Sequence, residues 1–169
     1  MIIGLVGRSR VGKDTAAAFL AAEHGYTIKR LAQPVKDACK VLYGWSDVEV
    51  ESAAKEAIDP KWNVTPRFAM IHLTQAMREC MGADFFTRRF FDSWDGQPVV
   101  IPDVRFDGDV QEIHRRGGMT IKIVRSGGPD HVFEFTIDSL ATHHVIHNDG
   151  SVDNLKRLVL QCMKPVETA

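Results

Sequence analysis

A chain of 169 residues with 44% hydrophobic and 25% charged side chains is long enough for one globular domain with a substantial core. A net charge of −1 argues against a broad, sequence-independent nucleic-acid surface, but leaves room for small anions held by a local group. Cys39, Cys80 and Cys162 are odd in number and far apart, which argues against a disulfide framework or a zinc knuckle, and no apolar run is long enough to span a membrane; the expectation is a reducing, cytoplasmic setting, the host cytoplasm if the gene is phage-encoded.

The first apolar run predicts a central parallel strand, about Ile2–Val6, buried on both faces. It leads into Gly7-Arg8-Ser9-Arg10-Val11-Gly12-Lys13-Asp14-Thr15, and then into an alanine-rich helix running from Lys13 to about Glu23 and stopping near Gly25. Strand, glycine-framed loop, lysine and helix together make the context of a phosphate-binding loop. Successive backbone N–H groups in such a loop converge on one point, and the helix adds the partial positive charge of its N-terminus. The nine residues from Gly7 to Thr15 are therefore the candidate donor-nucleotide site, with the Lys13 ammonium reaching the outer phosphates. The pattern usually has Ser or Thr after the lysine, to touch Mg²⁺. Here Asp14 stands there and Thr15 follows, so Thr15 is the candidate phosphate or metal contact. Asp14 either reaches Mg²⁺ through water or caps the helix; the residues leave both open.

A second strand is read over Tyr26–Ala32. Pro34 then opens a helix with an apolar face of Val35, Ala38, Cys39, Val41 and Leu42. Lys36, just past the carboxyl end of that strand, is placed to approach a second anionic group. The stretch Gly44–Asn63 holds Trp45, Trp62 and the mixed-charge run Glu49–Lys55; it reads as a flap with a short helix and no assigned chemistry. Thr65-Pro66-Arg67 is a helix start, Thr65 as cap and Pro66 in the first position, with the helix ending before Gly82. Arg67 and Arg78 share a face but lie about 16 Å apart along the axis, too far to grip one phosphate together. Each is a candidate for an acceptor phosphate.

Asp84–Trp94 continues as a helix whose phenylalanines, Phe85, Phe86, Phe90 and Phe91, read as core. Pro98–Pro102 predicts a buried strand, with Asp103-Val104-Arg105 leaving its carboxyl end. Asp103 is placed to hold metal-bound water or orient an acceptor, and Arg105 to stabilise charge on a moving phosphoryl group. A helix over Gly108–Arg116 and a strand over Met119–Val124 follow. Arg125 at that strand's end, before Ser126-Gly127-Gly128-Pro129, could close over the phosphates at the hinge of a short lid containing His131 and Glu134. His144–His147 is the last strand; His143, His144 and His147 lie on opposite faces and do not read as a metal site. Asn148-Asp149-Gly150-Ser151 then turns into a helix over Val152–Met163. Asn148 and Gly150 in that turn are candidate contacts for the donor purine, and residues 164–169 read as a disordered tail.

Taken in order, Gly12-Lys13-Asp14-Thr15, Leu31-Ala32-x-Pro34-Val35-Lys36, Thr65-Pro66-Arg67, Ile101-x-Asp103-Val104-Arg105-Phe106, Gly117-Gly118, Arg125, His131-x-x-Glu134 and Asn148-Asp149-Gly150-Ser151 resemble the phage-type deoxynucleoside monophosphate kinase family. The resemblance spans nearly the whole chain. It implies a three-layer α/β P-loop kinase fold: about five parallel strands flanked by helices, one domain over 1–169, an acceptor-binding helical region over about 33–95, and a lid over about 125–143. It also implies transfer of the ATP γ-phosphoryl to a deoxynucleoside monophosphate with Mg²⁺. Partners would be small nucleotides rather than a nucleic-acid polymer or a membrane, with a homodimer open. Leu73-Thr74-Gln75 stands where the family tends to Leu-Gly-Thr, and Phe133 where it often has Ser. The other readings are a small-molecule kinase resembling dephospho-coenzyme A kinase, and a nucleotide-binding regulatory module without transfer. A GTPase switch is disfavoured, because no Asn-Lys-x-Asp base-reading motif occurs.

Overall fold

Among the described residues, short apolar runs pair into one five-stranded sheet: β1 (Ile2–Val6), β2 (Thr27–Ile28), β3 (Val99–Val104), β4 (Met119–Val124) and β5 (His144–His147), in the order β2-β3-β1-β4-β5. Every pairing is parallel. The computed structural model describes residues 1–126 and 135–164, with no side-chain account of Phe135 and Thr136. The proposed lid hinge Gly127-Gly128-Pro129, with His131 and Glu134, and the tail from residue 165 lie outside the described residues.

The chain divides into two compact units, Met1–Arg30 with Thr87–Ala169, and Leu31–Phe86. The first holds the sheet. Alternation along β1 turns Ile3 and Leu5 toward α1 (Lys13–His24) and α8 (Val152–Met163), where Leu20, Ile121, Ile123, Leu155 and Val159 complete a buried cluster. The opposite face takes α6 (Asp107–Arg115). There the bare backbone of Gly4 lets Ile113 in, since a Cβ at Gly4 would stand 2.8 Å from Ile113 Cδ1. Helices on both faces of a parallel sheet explain why β1 is apolar at nearly every position rather than alternating. A short helix, α7 (Phe135–Ser139), precedes β5.

The second unit is helical: α2 (Gln33–Tyr43), α3 (Asp47–Glu51), a 3-10 turn at Ala53–Glu56, and α4 (Pro66–Met81). The Thr65 hydroxyl accepts from the Phe68 N–H at 3.1 Å, as the Thr-Pro start predicts. The unassigned stretch is ordered by its aromatics: Trp45 stacks on Tyr43, its ring N–H donating to Asp59 at 2.6 Å, and the Trp62 ring N–H donates to the Tyr43 carbonyl. It contains a capped short helix, α3, in which Glu49 accepts from the Ser46 N–H. Helix α5 (Phe85–Asp92) carries the phenylalanines; Phe86 and Phe91 are buried and Phe85 and Phe90 half-buried.

Three expectations change. The second strand is two residues, not seven, because Thr27 bonds to Pro98, just before β3, and Lys29 to Val100 on β3, and the chain then turns into α2. Strand β3 runs on to Val104, so Asp103 belongs to it rather than following it. Val41 and Leu42 are 84% and 63% exposed, not part of the buried face of α2. Val41 sits about 240° around the helix from Val35. Leu42 lies in the last turn, beyond the buried Val35–Cys39 line.

Candidate active site

The loop Gly7–Thr15 leaves β1, the strand flanked on its two sides by β3 and β4, so it emerges where the order of strands reverses. Positive φ at Gly7 (151°), Arg10 (63°) and Gly12 (109°) folds six residues back on themselves. At Gly7 a Cβ would lie 2.4 Å from the Ile123 carbonyl oxygen, so the loop departs flush against β4. Val11 turns inward and is buried in the core, anchoring the loop by its side chain. Gly12 caps α1, whose first-turn N–H groups have no partner within the helix. Lys13 is almost wholly buried, its ammonium donating to the Gly7 carbonyl at 2.7 Å and to the Arg8 carbonyl.

A cavity of about 210 Å³ opens over this loop. Of the residues singled out from sequence, Arg10, Gly12, Lys13, Asp14, Thr15, Arg125, Asn148 and Gly150 line it, with Val152 and Leu155 as an apolar wall. The volume is below the roughly 300–1,000 Å³ of a pocket for a whole drug-sized ligand. Gly7, Arg8, Ser9 and Val11 do not line it; they form the turn beneath. Arg8 pairs with Asp138 of α7 at 2.5 Å, and the Lys122 ammonium donates to the Asp138 carbonyl. Asp14 pairs with Arg30, just beyond β2, at 2.7 Å. The Asp149 carboxylate accepts from the Ser126 N–H at 2.8 Å, and this bond, helped by His147 and Arg125, holds its carboxyl below the usual range.

Asp103 and Arg105 are not among the residues lining this cavity. They sit beside it in the sheet: Val104 pairs with Val6, the residue before the loop. Between Gly4 and Val6 the register slips by one residue, so β3 bulges at Pro102–Asp103. Proline lacks the N–H that would continue the ladder, and a bulge re-aims the next side chain. Both Asp103 and Arg105 are half-buried. The turn after them is held by a group the sequence reading missed: Asp109, fully buried, accepts from the Thr87 hydroxyl and from the Phe106 N–H. An acid three residues past a helix start was the available signal. Nearby, Arg115 and then Arg116 hold the buried Glu112 carboxyl below its usual range.

In the helical unit, Lys36 pairs with Glu51 and Arg67 with Glu56, both at 2.5 Å. Lys55, unassigned from sequence, joins them: burial first, and then the Arg67 and Lys36 charges, push its amine below the usual lysine value. Three cations and two acids thus gather around one end of α4. Arg78 is apart from them, its guanidinium 5.4 Å from the Phe86 ring and bonded to the Ala83 carbonyl.

The strand order and the loop at the end of the central strand define an α/β P-loop fold of the kind kinases have. Solved structures agree on the fold: shikimate kinase from Aquifex aeolicus superposes with a TM-score of 0.53 at 12% identity, covering 96% of both chains. TT1252 from Thermus thermophilus does so with 0.50 at 15% identity, also covering 96% of each. No family model matches the chain. In sequence it is 30% identical over 185 residues to a protein of Acanthamoeba polyphaga mimivirus named "Putative deoxynucleotide monophosphate kinase", covering 96% of each chain. The chain belongs to the deoxynucleotide monophosphate kinase family.

Proposed function

We propose that the protein transfers the γ-phosphoryl of ATP to a (deoxy)nucleoside 5′-monophosphate, giving the diphosphate. The observation that carries this reading is one cavity shared by Lys13, Arg125 and the N-terminus of α1, in a chain of this family. The loop amides and Lys13 would hold the β- and γ-phosphates of the donor. Arg125 at the cavity wall, and Arg105 at the end of β3, would balance charge on the γ-group as it passes in line to the acceptor. Asp103 would orient the acceptor. Lys36, Arg67 and Arg78 are the acceptor-binding candidates; the cluster now includes Lys55, and a phosphate there would compete with Glu51 and Glu56 for the same cations. An acceptor phosphate is already ionised near neutral pH, so no strong general base is needed. Catalysis is positioning and electrostatics.

The donor side fits Mg²⁺. Thr15 and Asp14 offer hard oxygen ligands at the cavity, and Mg²⁺ is commonly held through one or two protein oxygens together with substrate phosphates and water. When bound, Mg²⁺ would supply charge neutralisation at the β- and γ-oxygens. Arg30 already holds the Asp14 carboxylate, so Thr15 is the stronger candidate for direct contact. Residues 33–95 are proposed as the acceptor region and 125–143 as the lid. No helix among the described residues is long and apolar enough to cross a membrane.

The test is ADP release from ATP with a panel of ribo- and deoxynucleoside monophosphates. The expected result is release that depends on the monophosphate and favours the deoxy series. Stoichiometric ATP binding without monophosphate-dependent release would leave a nucleotide-binding module instead.

A further inference from the structure

The turn between β5 and α8 bonds at once to the phosphate loop and to the residue after Arg125. Asn148 is a buried polar side chain, 5% exposed. Its amide NH₂ donates to the Val11 carbonyl at 2.8 Å, across 137 residues of chain. Only glycine at position 12 admits that amide, because a Cβ there would stand 2.6 Å from Asn148 Nδ2. The next residue, Asp149, accepts from the Ser126 N–H at 2.8 Å, one residue beyond Arg125. Adjacent residues of one turn therefore hold the phosphate loop on one side and the Arg125 segment on the other.

The consequence for the loop follows from peptide geometry. A trans peptide is planar, with its C=O and N–H antiparallel. Holding the Val11 carbonyl toward Asn148 fixes the Gly12 N–H in the opposite direction. One N–H of the Asn148 amide is thereby committed to the loop carbonyl, which makes the buried side chain part of the loop's own hydrogen bonding. Resting on the donor-site reading above, we propose that Asn148 and Asp149 are positioning residues: Asn148 pre-forms the loop for a polyphosphate through the Val11–Gly12 peptide, and Asp149 holds Arg125 in register with it.

Inorganic tripolyphosphate, which has no base, separates positioning from base reading. It is titrated as a competitor of ATP for the wild-type chain and for Asn148→Leu, which is close in size, adds no charge and removes the donor NH₂. The expected result is a rise of about tenfold in the tripolyphosphate inhibition constant, the scale of a lost buried hydrogen bond with its acceptor left unpaired. The KM values for ATP and GTP should rise by that same factor, with the acceptor KM unchanged. Asp149→Ala, at an exposed position where folding is not in question, should raise the same constants about threefold, and Asp149→Asn, which keeps an oxygen for the Ser126 N–H, should restore them. An altered ATP-to-GTP ratio with unchanged tripolyphosphate binding would overturn the proposal in favour of a base contact. Unchanged constants in both Asn148→Leu and Asp149→Ala would overturn it outright. Failure of tripolyphosphate to compete in the wild-type chain would instead remove the donor site on which it rests.

Discussion

The Lys13 ammonium donates to the Gly7 carbonyl over 2.7 Å, so the loop is tied from near its end back to its beginning. A buried ammonium needs such acceptors, and main-chain carbonyls supply them without adding a competing negative charge. The charge that would meet the donor phosphates is thereby held in place before any ligand arrives. Lys13→Ala should leave far-UV circular dichroism unchanged and lower phosphoryl transfer by about 10²-fold or more, the scale seen when one charge-stabilising donor is removed. Unchanged turnover in a coupled ADP assay would remove Lys13 from the site.

Gly7 answers to a steric constraint rather than a chemical one. Its φ of 151° and the 2.4 Å approach of the Ile123 carbonyl to a notional Cβ leave a side chain no room, and the obstacle is backbone. Gly7→Ala should cost about 2–4 kcal/mol, from overpacking and backbone strain together. A urea midpoint equal to wild type would show that β4 yields at this point.

Thr87 and Asp109 make a buried pair between α5 and α6, both essentially inaccessible to water. Thr87→Val removes the hydroxyl donor while keeping the shape, and leaves the buried carboxyl short of a partner. The expected loss is about 1–3 kcal/mol of unfolding free energy, read from urea denaturation. Because Asp109 also accepts from Phe106, next to Arg105, a fall in transfer rate should accompany the loss of stability. A variant destabilised with full activity would separate the two.

Acid should weaken the fold through His114. Its ring nitrogen lies 2.7 Å from the hydroxyl of fully buried Thr120, and its ring packs edge-on against His143. Burial first, and then the neighbouring His143, push the His114 pKa below its ordinary value of 6.5. The unfolded chain therefore binds this proton more readily than the folded one. The stability that neutral His114 contributes is present above about pH 6.5 and is lost as pH falls through the lower folded-state value. The urea midpoint should drop between pH 7.5 and pH 5.5, and His114→Gln should flatten that drop. An equal slope in the variant would place the sensitivity elsewhere.

Where the sequence was readable, the signal lay within a few residues. β1 is an unbroken apolar run, α1 ends at a glycine in the left-handed conformation, α4 begins at Thr65-Pro66, and α8 is capped by Ser151. The phosphate-binding loop belongs with these, because its glycines, lysine and following helix are contiguous. The unassigned Lys55 shows the limit: a lysine in a mixed-charge run looks solvated until folding sets it beside Lys36 and Arg67.

Length, composition, the local periodicities and the loop motif were enough to read an α/β chain with a glycine-framed loop and a helix start at the end of its first strand. Tertiary structure alone decided that Asn148 meets Val11 and Arg8 meets Asp138, pairs 137 and 130 residues apart. It also decided that Val41 faces outward while Asp109 is buried. Local rules express the geometry of a single helix or strand, whereas these choices depend on which surfaces are brought together once the sheet has ordered its strands.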